Sequence, residues 1–218
     1  MPLLMCDLDD TLVERPPLFR AWAESFLEEH GRPDLLEWMI QEDVGGHRPR
    51  AEFLAVIAER TGYDVTPEEF LAEFDAGVGG SYRLTDGVRS ALADARDQGW
   101  SFAVVTNGPA SSQRPKVEVT GLDELADAIC IGGEIGHPKP HEAMFRTAAA
   151  RAGTTLDGAW MIGDNLDADI AGAQGVGVRS VWVKRPYEWL TFSSGAEPDL
   201  IAADFPDAVA QVLAATAG

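Results

Sequence analysis

Short apolar runs bounded by polar residues recur along most of this chain of 218 residues, a pattern typical of buried strands. These runs lie at residues 3–6, 102–105, 128–131, 159–162, 178–183 and 200–203. Helical patterns lie between them, at residues 86–98, 113–120, 140–152, 167–174 and 207–215. Strands that alternate with helices predict an α/β fold, a doubly wound parallel sheet with right-handed connections and helices on both faces.

The pattern is purely helical between residues 15 and 81. Apolar positions from Leu18 to Leu27 recur at spacings of one, three and four, which places them on one broad helix face. Another helix is expected to begin at Thr66, which forms a capping box with Glu69. We therefore predict an inserted helical cap, residues 15–81, and a core of residues 1–14 and 82–218. Residues 77–80, Gly-Val-Gly-Gly, are interpreted as a flexible joint.

The formal net charge of −19 limits what such a fold binds. An acidic surface repels polyanions, so we expect no nucleic acid partner, and any phosphate-binding site must be locally cationic. Cys6 and Cys130 lie in apolar runs and are interpreted as buried free thiols. Neither a leader pattern before Asp7 nor a membrane-spanning run is seen, which predicts a cytoplasmic protein without membrane contact. Monomer and homodimer both stay open.

Polar residues directly follow three of the predicted strands. Asp7, Asp9 and Asp10 follow the first, Thr-Asn-Gly at 106–108 follows the second, and Asp164 follows a later one. The carboxyl ends of parallel strands meet at one edge, where open sheets bind ligands. If the chain stays extended, Asp7 and Asp9 point to the same side and repel each other unless a cation lies nearby. We interpret this edge as a Mg²⁺ site for phosphoryl chemistry; the alternative is an acidic turn after an edge strand.

Taken in order, these segments resemble the four motifs of the haloacid dehalogenase (HAD) superfamily, hydrolases that form an aspartyl phosphate. Residues 7–11 (Asp-x-Asp-x-Thr) resemble the first motif and residues 106–108 the second. Lys139-Pro with Phe145 resembles the third, and Gly-Asp-x-x-x-x-Asp at 163–169 the fourth. The helical insertion lies where the small cap of the superfamily lies. The resemblance covers essentially the whole chain and implies a Rossmann-like core with an inserted α-helical cap.

The resemblance implies a role for each acidic residue at the first strand end. Asp7 would attack phosphorus and form the aspartyl phosphate. Asp9 would protonate the leaving oxygen and then accept a proton from the hydrolytic water. Mg²⁺ would be held by the carboxylates of Asp7 and Asp164 and by the backbone carbonyl of Asp9. Asp10 has no assigned role, and we expect it to cap a helix or face solvent.

The other motif residues would bind the transferring phosphoryl group. Thr106 would donate its hydroxyl, Asn107 its backbone N–H, and Lys139 would supply a fixed positive charge. Asp169 would orient a metal-bound water or Lys139, although Asp167 competes with it and only the spacing of the family favours Asp169. Residues 132–136, Gly-Gly-x-x-Gly, are interpreted as a turn that delivers Lys139 rather than as a nucleotide loop.

These features predict a Mg²⁺-dependent phosphatase for a small phosphomonoester such as a sugar phosphate, a nucleoside monophosphate or phosphoglycolate. A phosphomutase on the same scaffold stays open. A 2-haloacid dehalogenase is disfavoured by Asp9, because that reaction needs no acid for the leaving group. A non-catalytic binding protein is disfavoured because the motif residues are all present, namely Asp7, Asp9, Thr106, Lys139 and Asp164.

The glycine-containing loop at residues 45–50 is the candidate specificity element. In resembling enzymes a cap loop at this place contacts the leaving group of the substrate. We expect His47, Arg48 or Arg50 to bind a polar or anionic leaving group; the alternative is that these arginines pair with the acidic surface.

Replacing Arg48 and Arg50 together by Ala is expected to raise the KM for the true substrate, because a contact with the bound substrate is lost. Steady-state kinetics on the best substrate measure this. Unchanged KM and kcat for every good substrate would contradict a role of the loop in recognition.

Overall fold

A six-stranded parallel sheet forms the centre of the structure, a computed structural model that describes residues 1–46, 48–63, 65–185 and 193–216. The strands are β1 (Leu3–Cys6), β2 (Ser101–Thr106), β3 (Ala128–Ile131), β4 (Trp160–Gly163), β5 (Arg179–Val183) and β6 (Leu200–Ala202). Their spatial order is β3-β2-β1-β4-β5-β6, and every neighbouring pair is parallel. The predicted α/β fold with a parallel sheet is confirmed, with β1 at its centre.

Helices lie before β2, between most of the later strands and after β6, and they cover the sheet. They are α5 (Asp86–Asp97), α6 (Ala110–Thr120), α7 (Leu122–Leu125), α8 (Gly132–Ile135), α9 (Glu142–Arg151), α10 (Ala171–Gly175) and α11 (Phe205–Thr216), with a π-helical turn at Leu166–Ile170. Leu3 and Met5 of β1 pack with Met144 and Phe145 of α9 in one apolar cluster. Because side chains alternate along a strand, Leu4 faces away from that cluster, and it is also buried. The strand is therefore apolar at every position because both of its faces are covered.

Residues 14–82 form a second compact unit, which is built from helices. These are α1 (Pro16–Glu29), α2 (Leu36–Asp43), α3 (Arg50–Thr61) and α4 (Pro67–Gly79), with short 3₁₀ turns at Pro33–Leu35 and Val44–Gly46. The predicted capping box is present at the start of α4, where Thr66 and Glu69 bond each other's backbone N–H. Trp22 of α1 stacks on Phe26 and meets Phe74 of α4 edge-on, with ring centroids 5.1 and 4.9 Å apart.

A buried ion pair also stabilises this helical unit. Arg15 donates to both carboxylate oxygens of Asp43, one of them at 2.9 Å, and its guanidinium lies 4.9 Å from the ring centroid of Phe19. Both charged side chains are almost fully buried. Removing either partner alone would take this compensation from a charge that stays buried, which is destabilising.

One sequence interpretation of a glycine-rich segment is wrong. The expected flexible joint at residues 77–80 is helical up to Gly79, and Gly77 lets α4 approach the indole ring of Trp22 closely. The expected turn at residues 132–136 is a single helical turn, α8, which ends at Gly136 with φ of 82°. Glycine served close packing in the first case and a left-handed helix end in the second.

Other expectations concern the thiols and the membrane. Cys6 and Cys130 are buried free thiols, as predicted. Within the described ranges, no helix has the length and apolar character that a bilayer crossing requires.

The contact of Gly77 predicts a difference between two neighbouring glycines of α4. A Cβ atom at Gly77 would lie 2.6 Å from Cδ1 of Trp22, whereas a Cβ atom at Gly79 would meet nothing within 4 Å. Gly77→Ala should therefore lower the free energy of unfolding by about 1–3 kcal/mol through overpacking. Gly79→Ala should leave it unchanged or raise it by up to about 1 kcal/mol, because Ala favours helix. Urea unfolding of both variants measures this, and equal effects would contradict the packing argument.

Candidate active site

Asp7 lies at the carboxyl end of the central strand. It directly follows β1, and its backbone N–H donates to the carbonyl of Ile162 on β4 at 2.9 Å. Asp164 follows β4 directly, so the parallel pairing of β1 and β4 brings the two residues to one edge of the sheet. This is the edge at which open parallel sheets bind their ligands.

Three buried carboxylates meet at this edge. Asp7, Asp164 and Asp169 each offer an oxygen, and these oxygens all lie within 4.8 Å of one another. Burial raises the pKa of Asp7 to about 7, although Lys139 acts in the opposite direction. Burial and the charges of Asp7 and Asp169 also raise the pKa of Asp164 well above its usual value. The cluster therefore holds more negative charge than its protein surroundings stabilise.

Lys139 is the positive charge inside this cluster. Its ammonium group donates to Oδ1 of Asp7 and, at 2.6 Å, to the carbonyl of Val105, and it lies 2.7 Å from Oδ1 of Asp169. Burial alone would lower the pKa of Lys139, but the charges of Asp169 and Asp7 outweigh it and hold the pKa above its usual value. Lys139 is therefore a buried cation that donates two hydrogen bonds and forms an ion pair with a third oxygen, that of Asp169.

The chemistry of this cluster suits a hard divalent cation. The donors are carboxylate oxygens, which Mg²⁺ prefers. One lysine faces three carboxylates, so a further positive charge would relieve the repulsion that raises the pKa of Asp7 and Asp164. Asp7 and Asp164, the two carboxylates of the predicted ligand set, both belong to this cluster, and Lys139 pairs with Asp7 and with Asp169.

The loop after β2 is joined to Lys139 by a side chain. The Asn107 amide donates to the backbone carbonyl of Lys139 at 3.0 Å and accepts from its backbone N–H at 2.7 Å. Thr106 ends β2, is buried, and donates its hydroxyl to Oε1 of Gln113 at 3.1 Å. The sequence predicted only the backbone N–H of Asn107 as functional and did not identify Gln113.

Asp9 lies in a turn rather than on an extended strand. β1 ends at Cys6, and the backbone N–H groups of Leu12 and Val13 both bond the carbonyl of Leu8 at 3.0 Å. Asp9 and Asp7 therefore contact different lysines. Asp7 pairs with Lys139, whereas both oxygens of Asp9 accept from Lys116 of α6, at 2.8 and 2.7 Å.

Asp10 neither caps a helix nor faces solvent, so that expectation is wrong. It is 4% exposed and adopts the left-handed backbone region with φ of 58°. Its backbone N–H donates to the carbonyl of Val13 at 2.7 Å, and its carbonyl accepts from Nε of Arg185 at 2.5 Å. These contacts fix the turn that carries Asp9.

Asp167 and Asp169 have separate surroundings. The Asp167 carboxylate accepts backbone N–H bonds from Ser193 and Ser194. Burial acts to raise the pKa of Asp167, but these hydrogen bonds outweigh it and lower the pKa to about 2. Asp169 faces Lys139 instead and accepts from the backbone N–H of Asn165 at 3.1 Å. Of these two aspartates, Asp169 is the one that contacts Lys139.

The candidate specificity residues belong to the helical unit. Arg48 pairs with Glu42 within that unit, which fits the alternative that the cap arginines pair with acidic residues. His47 and the side chain of Arg50 lie outside the described part of the chain. The role of this loop in substrate recognition stays a prediction.

Sequence reasoning did not identify Gln113 and Lys116. Both lie on the buried face of α6, together with Val117 and Thr120. The spacing of these four residues, three or four positions apart, could have identified them. It places two long polar side chains on the same helix face as the buried Val117, and polar side chains are unexpected on such a face.

Comparisons with known proteins agree with this geometry. Residues 4–183 match the family model of the haloacid dehalogenase-like hydrolases. The phosphoserine phosphatase of Thermus thermophilus is 35% identical over 167 residues, which cover 76% of this chain but only 57% of that relative. This chain thus matches little more than half the length of that relative.

Two solved structures share the fold at low identity. The HAD-hydrolase YfnB from Bacillus subtilis, bound to magnesium, has a TM-score of 0.78 at 20% identity over 97% of this chain and 98% of that one. The L-2-haloacid dehalogenase of Xanthobacter autotrophicus, with chloropropionic acid covalently bound, has a TM-score of 0.75 at 18% identity over the whole of both chains. At such low identity, the two solved structures show only that the fold is shared. The match of residues 4–183 to the family model shows the family. The chain belongs to the haloacid dehalogenase-like hydrolases.

Proposed function

We propose that this hydrolase is a Mg²⁺-dependent phosphatase that cleaves a small phosphomonoester through an aspartyl phosphate on Asp7. The observation that carries the proposal is the environment of Asp7. Its carboxylate lies at the end of the central strand, paired with Lys139 and within 4.8 Å of the carboxylate oxygens of Asp164 and Asp169. The phosphatase name of the Thermus thermophilus relative supports the same reaction.

In the first half of the reaction, a carboxylate oxygen of Asp7 attacks phosphorus and the bond to the leaving oxygen breaks. Asp9 gives its proton to that oxygen, so that an alcohol leaves rather than an alkoxide. Lys139, Thr106 and the backbone N–H of Asn107 bind the oxygens of the transferring group, where negative charge is concentrated. Lys139 suits this role because its ammonium group is held in place by three oxygen contacts.

In the second half, water attacks the aspartyl phosphate and Asp9 accepts a proton from that water. The bond between phosphorus and the Asp7 oxygen breaks, which releases inorganic phosphate, restores the Asp7 carboxylate and leaves Asp9 protonated as it was at the start. Asp9 is 26% exposed at its side chain, so both the leaving group and water have access to it.

Mg²⁺ would be held by the carboxylates of Asp7 and Asp164 and by the backbone carbonyl of Asp9, and would neutralise charge as the anionic nucleophile meets the anionic phosphate. Asp169 keeps Lys139 in place beside this site. The fit of the carboxylate cluster to a hard cation supports this assignment, as does the magnesium in the Bacillus subtilis structure.

The proposed substrates are small metabolites: sugar phosphates, nucleoside monophosphates, phosphoglycolate and, from the named relative, phosphoserine. A phosphomutase would use the same Asp7 and return the phosphoryl group to substrate. A 2-haloacid dehalogenase is the weaker alternative, because a halide leaves without a proton and that reaction therefore needs no acid at Asp9. A panel of these esters assayed for phosphate, and haloacids assayed for chloride, separates the three.

Asp7→Asn should lower phosphate release by roughly a thousandfold or more, because the amide is neutral and a far weaker nucleophile. Colorimetric assay of phosphate with the best ester of the panel measures this. Asp123→Asn, the same change at an exposed position of α7, is the matched control and should keep wild-type activity. Phosphate release that survives in Asp7→Asn would rule out the nucleophile.

Mg²⁺ should also raise the melting temperature of the protein, because a ligand that binds only the folded state stabilises it. Asp164→Asn should abolish most of that rise, since it removes one of two carboxylate ligands, whereas Asp123→Asn should not. Thermal unfolding with EDTA and with increasing Mg²⁺ measures this without reference to activity. A rise of equal size in Asp164→Asn would contradict the proposed ligand set.

A further inference from the structure

Lysine is rare in this chain, and two of its three lysines contact the acidic stretch after β1. Lys139 contacts Asp7 and Lys116 contacts Asp9, while Lys184 is exposed. Lys116 is 7% exposed, and burial of an ammonium group is unfavourable unless a carboxylate compensates it. The pairing of Lys116 with Asp9 is therefore a condition for its burial on α6.

The geometry of this ion pair restricts Asp9 more than a single contact would. The ammonium group of Lys116 donates to both carboxylate oxygens of Asp9, at 2.8 and 2.7 Å. Rotation of the carboxylate would therefore break at least one of these two hydrogen bonds. An ionised carboxylate offers about four lone-pair sites, and Lys116 uses two of them. The Asp9 side chain is 26% exposed, so solvent reaches part of it.

We infer that Lys116 is a positioning residue that fixes the carboxylate of Asp9 where it exchanges protons with the leaving group and the hydrolytic water. This inference rests on the proposed function, because it assigns a purpose to Lys116 only if Asp9 is the acid and base. It concerns the place of the Asp9 oxygens, and Lys116 itself contacts Asp9 rather than the reacting phosphoryl group.

The helix that carries Lys116 is well suited to this purpose. Gln113 lies three residues earlier on the same buried face and accepts from the hydroxyl of Thr106 at 3.1 Å. One face of α6 thus contacts two proposed catalytic side chains that come from different strand ends, Asp9 after β1 and Thr106 after β2. A helix that only filled space beside the sheet would need apolar side chains at these two positions.

A positioning role predicts dependence on the leaving group. p-Nitrophenolate is a good leaving group that departs without a proton, whereas an alkoxide must be protonated as it leaves. A misplaced Asp9 should therefore slow cleavage of an alkyl phosphate much more than cleavage of p-nitrophenyl phosphate. Loss of fold or of phosphate binding would slow both cleavages alike.

The test compares Lys116→Met with the wild-type enzyme on p-nitrophenyl phosphate and on the alkyl ester of the panel that is cleaved fastest. Met keeps the length of the side chain and removes its charge and donors. The kcat/KM for the alkyl ester, relative to that for the aryl ester, should fall roughly tenfold or more. Arg114→Met is the matched control, because Arg114 is a cation of the same helix that pairs with Glu134 instead, and its ratio should not change.

A double-mutant cycle shows whether the effect passes through Asp9. Asp9→Asn should lower the same ratio, and adding Lys116→Met to it should lower the ratio no further, because the group that Lys116 holds has already lost its function. Multiplicative losses in the double variant would overturn the inference. So would an equal fall for both esters in Lys116→Met.

Circular dichroism and thermal unfolding of each variant come first. If Lys116→Met does not fold, Lys116→Gln replaces it, because Gln removes the charge but keeps one donor group, and the same ratio decides. A wild-type enzyme that releases phosphate from neither ester would overturn the proposed function itself. An active wild-type enzyme with an unchanged ratio in the variant would overturn only the role of Lys116.

Discussion

The repulsion among buried carboxylates at the end of the central strand is the constraint on which the rest of the site depends. Asp7, Asp164 and Asp169 are brought together by the parallel pairing of β1 and β4 and by the turn that follows β4. Burial of such a cluster is unfavourable unless cations compensate it. Lys139 compensates part of the charge, and burial together with the repulsion that is left raises the pKa of Asp7 and Asp164.

Each acid of the first strand end has a distinct partner, and the partners come from different parts of the sequence. Lys139 lies after α8 and contacts Asp7, while Lys116 lies on α6 and contacts Asp9. The carbonyl of Asp10 accepts from Arg185, which follows β5. A stretch of four residues is thus held by three separate segments, and the sheet fixes where each segment begins.

Much of this arrangement could be predicted from the sequence, because the signals are local. Uninterrupted apolar runs predicted the strands, and polar residues directly after them predicted the edge at which Asp7 and Asp164 meet. The partner of Asp9 could not be predicted in this way, because Lys116 is 107 positions away and the contact depends on how α6 packs. The prediction of a flexible joint at Gly77 was wrong because the sequence alone does not show why a glycine is present. A glycine can make the backbone flexible, or, as at Gly77, it can let a helix pack closely against a large side chain such as Trp22.

The paired hydrogen bonds between Asn107 and the backbone of Lys139 have a mechanical consequence. They join the loop after β2 to the loop before α9, so a displacement of one loop would have to break these bonds or carry the other loop with it. An aspartate at position 107 would keep the acceptor and lose the donor, and a leucine would lose both. The amide side chain therefore ties the backbone of Lys139 to the end of the strand that carries Thr106.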